Sequence, residues 1–145
     1  MFAYTLIDHP IDFSLDVGRI SSLLAYIERE VPISQNGIIN IAFLSDDSIQ
    51  TLNKQYRWVD STTDVLSFHY FDDFSGKSSE EVTGEIVLSE SKIISQAHEH
   101  SHTVEKETEI LILHGILHIL GFDHETDEDY AEMWKYEEIL RDTIK

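Results

Sequence analysis

The 145-residue sequence has no cysteine, only two prolines and only six glycines. Without cysteine there can be no disulfide bond, thiolate metal site or cysteine nucleophile. So little proline and glycine excludes a collagen-like or low-complexity chain. Long apolar runs are also missing, since the run at residues 110–122 is interrupted by His114 and His118 and is too short to span a bilayer. No basic stretch precedes an apolar one at the amino terminus, so we expect a soluble, cytoplasmic protein without a membrane partner.

Positive charge is scarce as well. Lysine and arginine total 10 against 28 aspartates and glutamates, which gives a net charge of −18 with histidine neutral. Such a chain repels nucleic acid at long range. Lys54 and Arg57 form a close basic pair that could share one helix turn. A nucleic-acid partner therefore requires a local positive cleft, or another molecule that presents the nucleic acid.

The length and the 41% hydrophobic content indicate one domain over residues 1–145. Alternating or continuous apolar patterns predict strands at residues 2–7, 38–44, 64–70 and 85–88. Periodic apolar residues and start signals predict helices at residues 17–31 and from Ser45, Ser89, Thr103 and Thr126. The acidic stretch 71–84 is expected to be an exposed, mobile connection. This order predicts an α+β domain with one small mixed sheet of about four strands, covered by helices.

The segment from His114 to His124 carries the strongest functional signal. Two histidines four residues apart on a helix lie about 40° apart around its axis and about 6 Å along it, so both rings point the same way. Gly121 can adopt the left-handed conformation that ends a helix, which would return His124 toward His114 and His118. Three neutral imidazoles suit zinc and leave one position for water, which loses a proton near neutral pH. The spacing predicts one catalytic Zn²⁺ ion on the central helix.

Other interpretations of this segment are open. A single histidine on so apolar a helix would be a hydrogen-bonded core residue, but three unpartnered buried rings would cost roughly 1–3 kcal/mol each. The zinc could be structural, closed by a fourth ligand such as Asp123. The H-x-x-x-H-x-x-G-x-x-H spacing is also that of the metzincin proteases, but their general-base glutamate falls on Gly115 here. A protease is therefore less favoured than another metal-dependent hydrolase.

The sequence HGILHILGFDH at residues 114–124 resembles the H-G-x-L-H-L-x-G-[YF]-D-H signature of the YbeY endoribonucleases, the rRNA maturation factors of bacteria. LNKQYR at 52–57 and TDVLSF at 63–68 are similar to that family's L-N-x-x-Y-R and T-D-V-L-S-F blocks. Glu85 takes the place of the aspartate in the family's G-D-I block. Met133 and Glu137 fit its M-x-x-x-E pattern. The matches lie in order across residues 38–140.

The resemblance implies a zinc-dependent, single-strand-specific endoribonuclease that acts in 16S rRNA 3′-end maturation and in ribosome quality control. It implies that His114, His118 and His124 hold the zinc and that Arg57 is essential. We therefore predict His114 and Arg57 as catalytic, and Arg57 with Lys54 as contacts to substrate phosphates. The expected partners are single-stranded RNA, 16S rRNA, and the ribosome or small-subunit proteins. A non-catalytic ribosome-assembly factor with a structural zinc is the alternative.

Glu137 falls in the middle of the apolar stripe of the predicted last helix. A carboxylate facing inward needs a partner, and it could accept the second ring N–H of a zinc-bound histidine, which would fix the tautomer of that ring. A solvated glutamate on a partly exposed stripe is the equal alternative.

Further histidines alternate at positions 98, 100 and 102. On a helix, residues two apart point to different faces. The pattern therefore predicts a solvated helix end at His98, His100 and His102 rather than a second metal site. Trp58, next to Arg57, could stack on a base, although a large apolar side chain is more often packed.

Overall fold

The computed structural model describes residues 1–122 and the separate positions 128, 131, 134, 135 and 138. Its strands and helices are β1 (Ala3–Asp8), α1 (Val17–Glu30), β2 (Ile38–Leu44), α2 (Asp46–Arg57), β3 (Val65–His69), β4 (Val82–Ser89), α3 (Glu90–Glu99) and α4 (Val104–Ile119). One sheet has the order β1-β2-β4-β3, with β1, β2 and β4 parallel and β3 antiparallel to β4. The predicted α+β fold with a small mixed sheet is confirmed. No helix in the described part is both long enough and apolar enough to cross a membrane.

The helices begin where side chains can satisfy their first backbone N–H groups. The hydroxyls of Ser45, Ser89 and Thr103 each accept a hydrogen bond from the backbone N–H three residues further on, as the sequence predicts. The Asp16 side chain serves α1 in the same way. Each such cap stabilises its helix by about 1 kcal/mol. Pro32 follows the end of α1, because proline cannot donate the next helical hydrogen bond.

The two faces of the sheet pack against different helices. Ile86 and Leu88 of β4 belong to the main core, which they share with apolar residues of α1, α3 and α4. Val87, which points the opposite way, packs with Ile49 of α2 and Leu66 of β3. Helix α4 is buried along most of its length, so it is the central helix that its apolar sequence predicts.

The segment between β3 and β4 differs from the prediction. Strand β4 begins at Val82 rather than Glu85, because the parallel pairing with β2 continues that far. Phe74 is 2% exposed, in the middle of the stretch expected to be exposed, and its ring contacts Phe2 edge-on at 5.4 Å between centroids. The connection is therefore anchored to the core by the buried Phe74 ring, and the partly buried Phe71 packs against the same core.

The predicted last helix falls largely outside the described residues. Thr126 and Glu137 are not among them, whereas positions 128, 131, 134, 135 and 138 are helical and exposed. His124 also lies outside the described residues. The roles expected of Glu137 and His124 therefore stay predictions.

Candidate active site

A cavity of about 660 Å³ opens beside the edge strand β3. Its walls come from the end of α2, from residues 63–69 and from the last turns of α4. Each wall contains a segment that the sequence analysis singled out: LNKQYR, TDVLSF and HGILHILGFDH. The fold thus gathers three distant segments around one space that is large enough to take a ligand.

His114 and His118 face this cavity from successive turns of α4. Their Nε2 atoms are 2.9 Å apart, and their ring centroids are 4.4 Å apart with an interplanar angle of 78°. Two ligand atoms on a tetrahedral zinc, with bonds of about 2.0–2.1 Å, lie about 3.3 Å apart. The i, i+4 spacing therefore brings the two rings together as predicted, and their Nε2 atoms would have to move apart by only about 0.4 Å to take two positions on one ion.

The end of α4 turns the chain directly after these histidines. Gly121 has a φ of 101°, in the left-handed region that favours glycine. The N–H of Gly121 donates to the carbonyl of His118 at 3.0 Å, and the N–H of Phe122 donates to that of Leu117 at 3.0 Å. The helix thus ends where the glycine predicts.

Gly115 allows α4 to pack closely on the sheet. A Cβ at this position would lie 3.1–3.3 Å from three side-chain atoms of Ile86 on β4, closer than ordinary packing permits. A larger side chain at this position would require Ile86 or the helix to shift by a few tenths of an ångström. The glutamate that acts as general base in metzincins is absent, because Gly115 occupies its position.

Arg57 is the last residue of α2 and lines the cavity with its side chain exposed. Asn53 orders the turn that follows. Its side-chain amide donates to the Ser61 carbonyl at 2.9 Å, and its backbone carbonyl accepts hydrogen bonds from the N–H groups of Trp58 and Val59. Within residues 1–122 no carboxylate forms an ion pair with Arg57. The ordered turn therefore fixes the backbone position of Arg57 at the cavity wall.

Lys54 does not lie in this cavity. Its Nζ is 3.7 Å from Asp60 Oδ2, and both residues line a separate surface pocket. The structure therefore does not bring Lys54 and Arg57 into one basic cleft.

Residues of β3 and the preceding turn complete the cavity wall. Ser67 and His69 alternate along β3 and both line the cavity. Asp64 lines it too, and its carboxylate accepts hydrogen bonds from Gln96 Nε2 at 3.2 Å and from Thr63 Oγ1 at 3.3 Å. The TDVLSF block marks this segment in the sequence, but only the sheet register shows which of its side chains face the cavity.

Aromatic side chains stand at and beside the cavity. Tyr56 lines it and contacts Phe68 edge-on, with centroids 5.5 Å apart. Trp58 has a left-handed φ of 61° and is 91% exposed, so it is not packed as a core residue. Partial burial, and to a smaller extent a hydrogen bond to Glu85, raises the pKa of Tyr70 to about 12. The Tyr70 hydroxyl therefore stays neutral, and its ring remains half exposed beside His69.

The prediction that His100 and His102 point to different faces is wrong. Helix α3 ends at Glu99, and Ser101 adopts a left-handed φ of 57°, so the chain reverses between the two histidines. Both rings turn toward the buried carboxylate of Glu107 on α4. The three side chains form a group that could hold a metal ion, with one ligand atom from each lying within 4.8 Å of the others.

Comparisons with known proteins identify the family to which the sequence and the fold are similar. A family model described as Endoribonuclease YbeY matches residues 12–145. A Caldicellulosiruptor saccharolyticus protein named Endoribonuclease YbeY is 36% identical over 142 residues, 92% of this chain and 87% of its own. A Staphylococcus carnosus protein of the same name is 32% identical over 146 residues, 98% of this chain and 95% of its own. The solution structure of TM1509 from Thermotoga maritima matches with a TM-score of 0.58 and 26% identity, over 99% of this chain and 89% of that one.

Proposed function

This chain belongs to the YbeY endoribonuclease family, and we propose that it is a zinc-dependent enzyme that cleaves single-stranded RNA. The proposed substrate is the 3′ end of 16S rRNA, with a further role in ribosome quality control. The observation that carries the proposal is the pair of ring nitrogens of His114 and His118, 2.9 Å apart in the cavity that Arg57 also lines.

His114, His118 and His124 would hold the ion. The donor chemistry of the two described rings fits, because neutral imidazoles at this separation suit a zinc ion. Zinc bound there would supply a Lewis acid that polarises a phosphoryl oxygen or activates water. Glu137 is proposed to accept a ring N–H from one of these histidines, which would hold that ring in the tautomer that binds metal.

Arg57 is proposed to bind the scissile phosphate. Its planar guanidinium can donate two parallel hydrogen bonds to phosphate oxygens and stabilise the charge that develops on them. Asn53 supports this role by holding the turn after Arg57. Lys54 forms an ion pair with Asp60 in a neighbouring pocket. It would therefore contact a phosphate other than the one that is cleaved.

The exposed aromatic rings support the proposed preference for single strands. Trp58 and Tyr56 present ring faces on which unpaired bases can stack, whereas bases in a duplex are already stacked and paired. The net charge of −18 opposes free encounter with RNA. Presentation of the RNA by the ribosome or a small-subunit protein in the cytoplasm would remove this obstacle, with Arg57 and the bound ion providing the local positive charge.

Two alternatives are less well supported. A protease would need a general base other than residue 115, where Gly115 packs against Ile86. A non-catalytic assembly factor with a structural zinc would not need an open cavity beside its ligands, and here the histidines line one of about 660 Å³.

The test combines metal content with cleavage of a single-stranded RNA of 16S 3′-end sequence. His114→Ala should bind one zinc ion fewer than the parent and lose activity, while Arg57→Ala should bind as much zinc as the parent and lose activity. Arg29→Ala, which changes an exposed arginine on α1, is the matched control and should retain both. Parent protein that holds zinc and cuts no RNA, even when small ribosomal subunits are supplied, would favour the structural alternative. A 2′,3′-cyclic phosphate on the product would identify the neighbouring 2′-hydroxyl as the attacking group.

A further inference from the structure

A second group of metal-ligand side chains lies at the junction of α3 and α4. Glu107 is only 3% exposed, although it carries a carboxylate. Its Oε2 lies 2.6 Å from His102 Nε2 and 3.4 Å from His100 Nδ1. The rings of His100 and His102 meet edge-on with centroids 5.4 Å apart. Two imidazoles of this chain thus converge on one buried carboxylate oxygen.

The backbone holds this arrangement in place. The N–H of His100 donates to the Gln96 carbonyl at 2.9 Å, and the N–H of His102 donates to the Ala97 carbonyl at 3.0 Å. The left-handed Ser101 between them reverses the chain. The ligands are therefore oriented by a hydrogen-bonded turn before any ion arrives, which lowers the entropic cost of binding.

We propose that His100, His102 and Glu107 form a second site for a divalent transition-metal ion. Two imidazole nitrogens and one carboxylate oxygen are a ligand set that suits Zn²⁺, Ni²⁺ or Cu²⁺, whereas Mg²⁺ and Ca²⁺ prefer oxygen ligands alone. Ligand atoms on a tetrahedral zinc lie about 3.3 Å apart. The 3.4 Å separation already meets this value, and the 2.6 Å separation would have to open by less than about 1 Å.

Charge and access also favour a cation here. A buried carboxylate is costly unless a positive group or several hydrogen bonds compensate it, and the chain as a whole carries a charge of −18. The His100 side chain is 54% exposed, which gives an ion a route from solvent and leaves coordination positions for water. The bound ion would join the end of α3 to the first turn of α4. This site shares no residue with the proposed nuclease site on His114 and His118.

The test is a calorimetric titration of chelator-stripped protein with Zn²⁺, comparing the parent with His100→Ala and His98→Ala. His98 is an exposed histidine two residues away that takes no part in the cluster, so it is the matched control. His100→Ala should bind one zinc fewer than the parent and His98→Ala, or bind that ion more than about 100-fold more weakly. RNA cleavage by His100→Ala should be unchanged.

The number of zinc ions bound per chain also separates this proposal from the nuclease proposal. If His114 and His118 bind no metal, the parent should still take up one zinc, and His100→Ala should take up none. Zinc should raise the thermal unfolding midpoint of His98→Ala more than that of His100→Ala, because an ion that binds only the folded state stabilises it. Equal zinc number and affinity in the two variants would overturn the proposal and leave a histidine–glutamate hydrogen-bond cluster only.

Discussion

The close packing of Gly115 against Ile86 predicts that adding a single methyl group at position 115 lowers the free energy of unfolding. In Gly115→Ala the new Cβ would lie 3.1, 3.2 and 3.3 Å from the Cδ1, Cγ1 and Cγ2 atoms of Ile86. Overpacking of this kind costs about 1–3 kcal/mol, whereas alanine stabilises a helix interior by about 1 kcal/mol relative to glycine. The net loss of unfolding free energy should therefore be about 1 kcal/mol, which lowers the Tm of a domain of this size by about 2–4 °C.

A double-mutant cycle isolates this contact. Ile86→Val removes the Cδ1 atom that approaches closest and should alone cost about 0.5–1.5 kcal/mol. Combined with Gly115→Ala, it should cost less than the sum of the two single changes. Gly18→Ala, at an exposed position in the first turn of α1, is the comparison: its Cβ would meet a single side-chain atom, Oδ1 of the capping Asp16 at 3.2 Å, so it should cost less than Gly115→Ala.

Urea unfolding followed by circular dichroism measures all four variants, and RNA cleavage is measured on the folded protein. Because Gly115 lies between His114 and His118, we expect displacement of α4 to reduce cleavage by Gly115→Ala even where the protein is fully folded. The reasoning is refuted if Gly115→Ala is as stable as the parent and shows no coupling to Ile86→Val.

Three further predictions concern the site and its supports. Arg57→Ala should lower kcat/KM for RNA cleavage by about 10²–10³-fold with zinc content unchanged, and Arg57→Lys should restore only part of it because lysine lacks the planar fork; normal cleavage by Arg57→Ala would contradict the role. Raising salt from roughly 50 to 200 mM should weaken binding of a single-stranded RNA about three- to sevenfold, as expected for one or two phosphate contacts; a filter-binding slope several times steeper would mean that other basic residues bind the RNA. Hydrogen bonds from Ser89 and Ser91 lower the pKa of Asp46. The ionised carboxylate therefore stabilises the fold at pH values above the ordinary pKa of an aspartate, and this stabilisation is lost as the pH falls through the lowered pKa. Asp46→Asn should therefore cost about 1 kcal/mol in urea unfolding at neutral pH and nothing in strong acid, and an equal loss at both would disprove the linkage.

Much of the local structure could be predicted because its causes lie within a few residues of one another. Ser45, Ser89 and Thr103 cap helices through hydrogen bonds to N–H groups three residues away. The spacing of His114 and His118 places both rings on one face by helix geometry alone. The limits of local reasoning appear at His100 and His102, because their i, i+2 spacing predicts different faces, whereas the left-handed Ser101 turns both rings toward Glu107.

The amino-acid sequence by itself determined the helix starts, the paired histidines and the motifs of the family, because these depend on short-range hydrogen bonding, periodicity and residue identity. Only the tertiary structure decided that Arg57 shares a cavity with His114 while Lys54 pairs with Asp60 elsewhere. The same is true of Glu107, whose burial against two histidines depends on how α3 and α4 meet. Such contacts are set by the packing of whole elements, and residue spacing along one element does not contain that information.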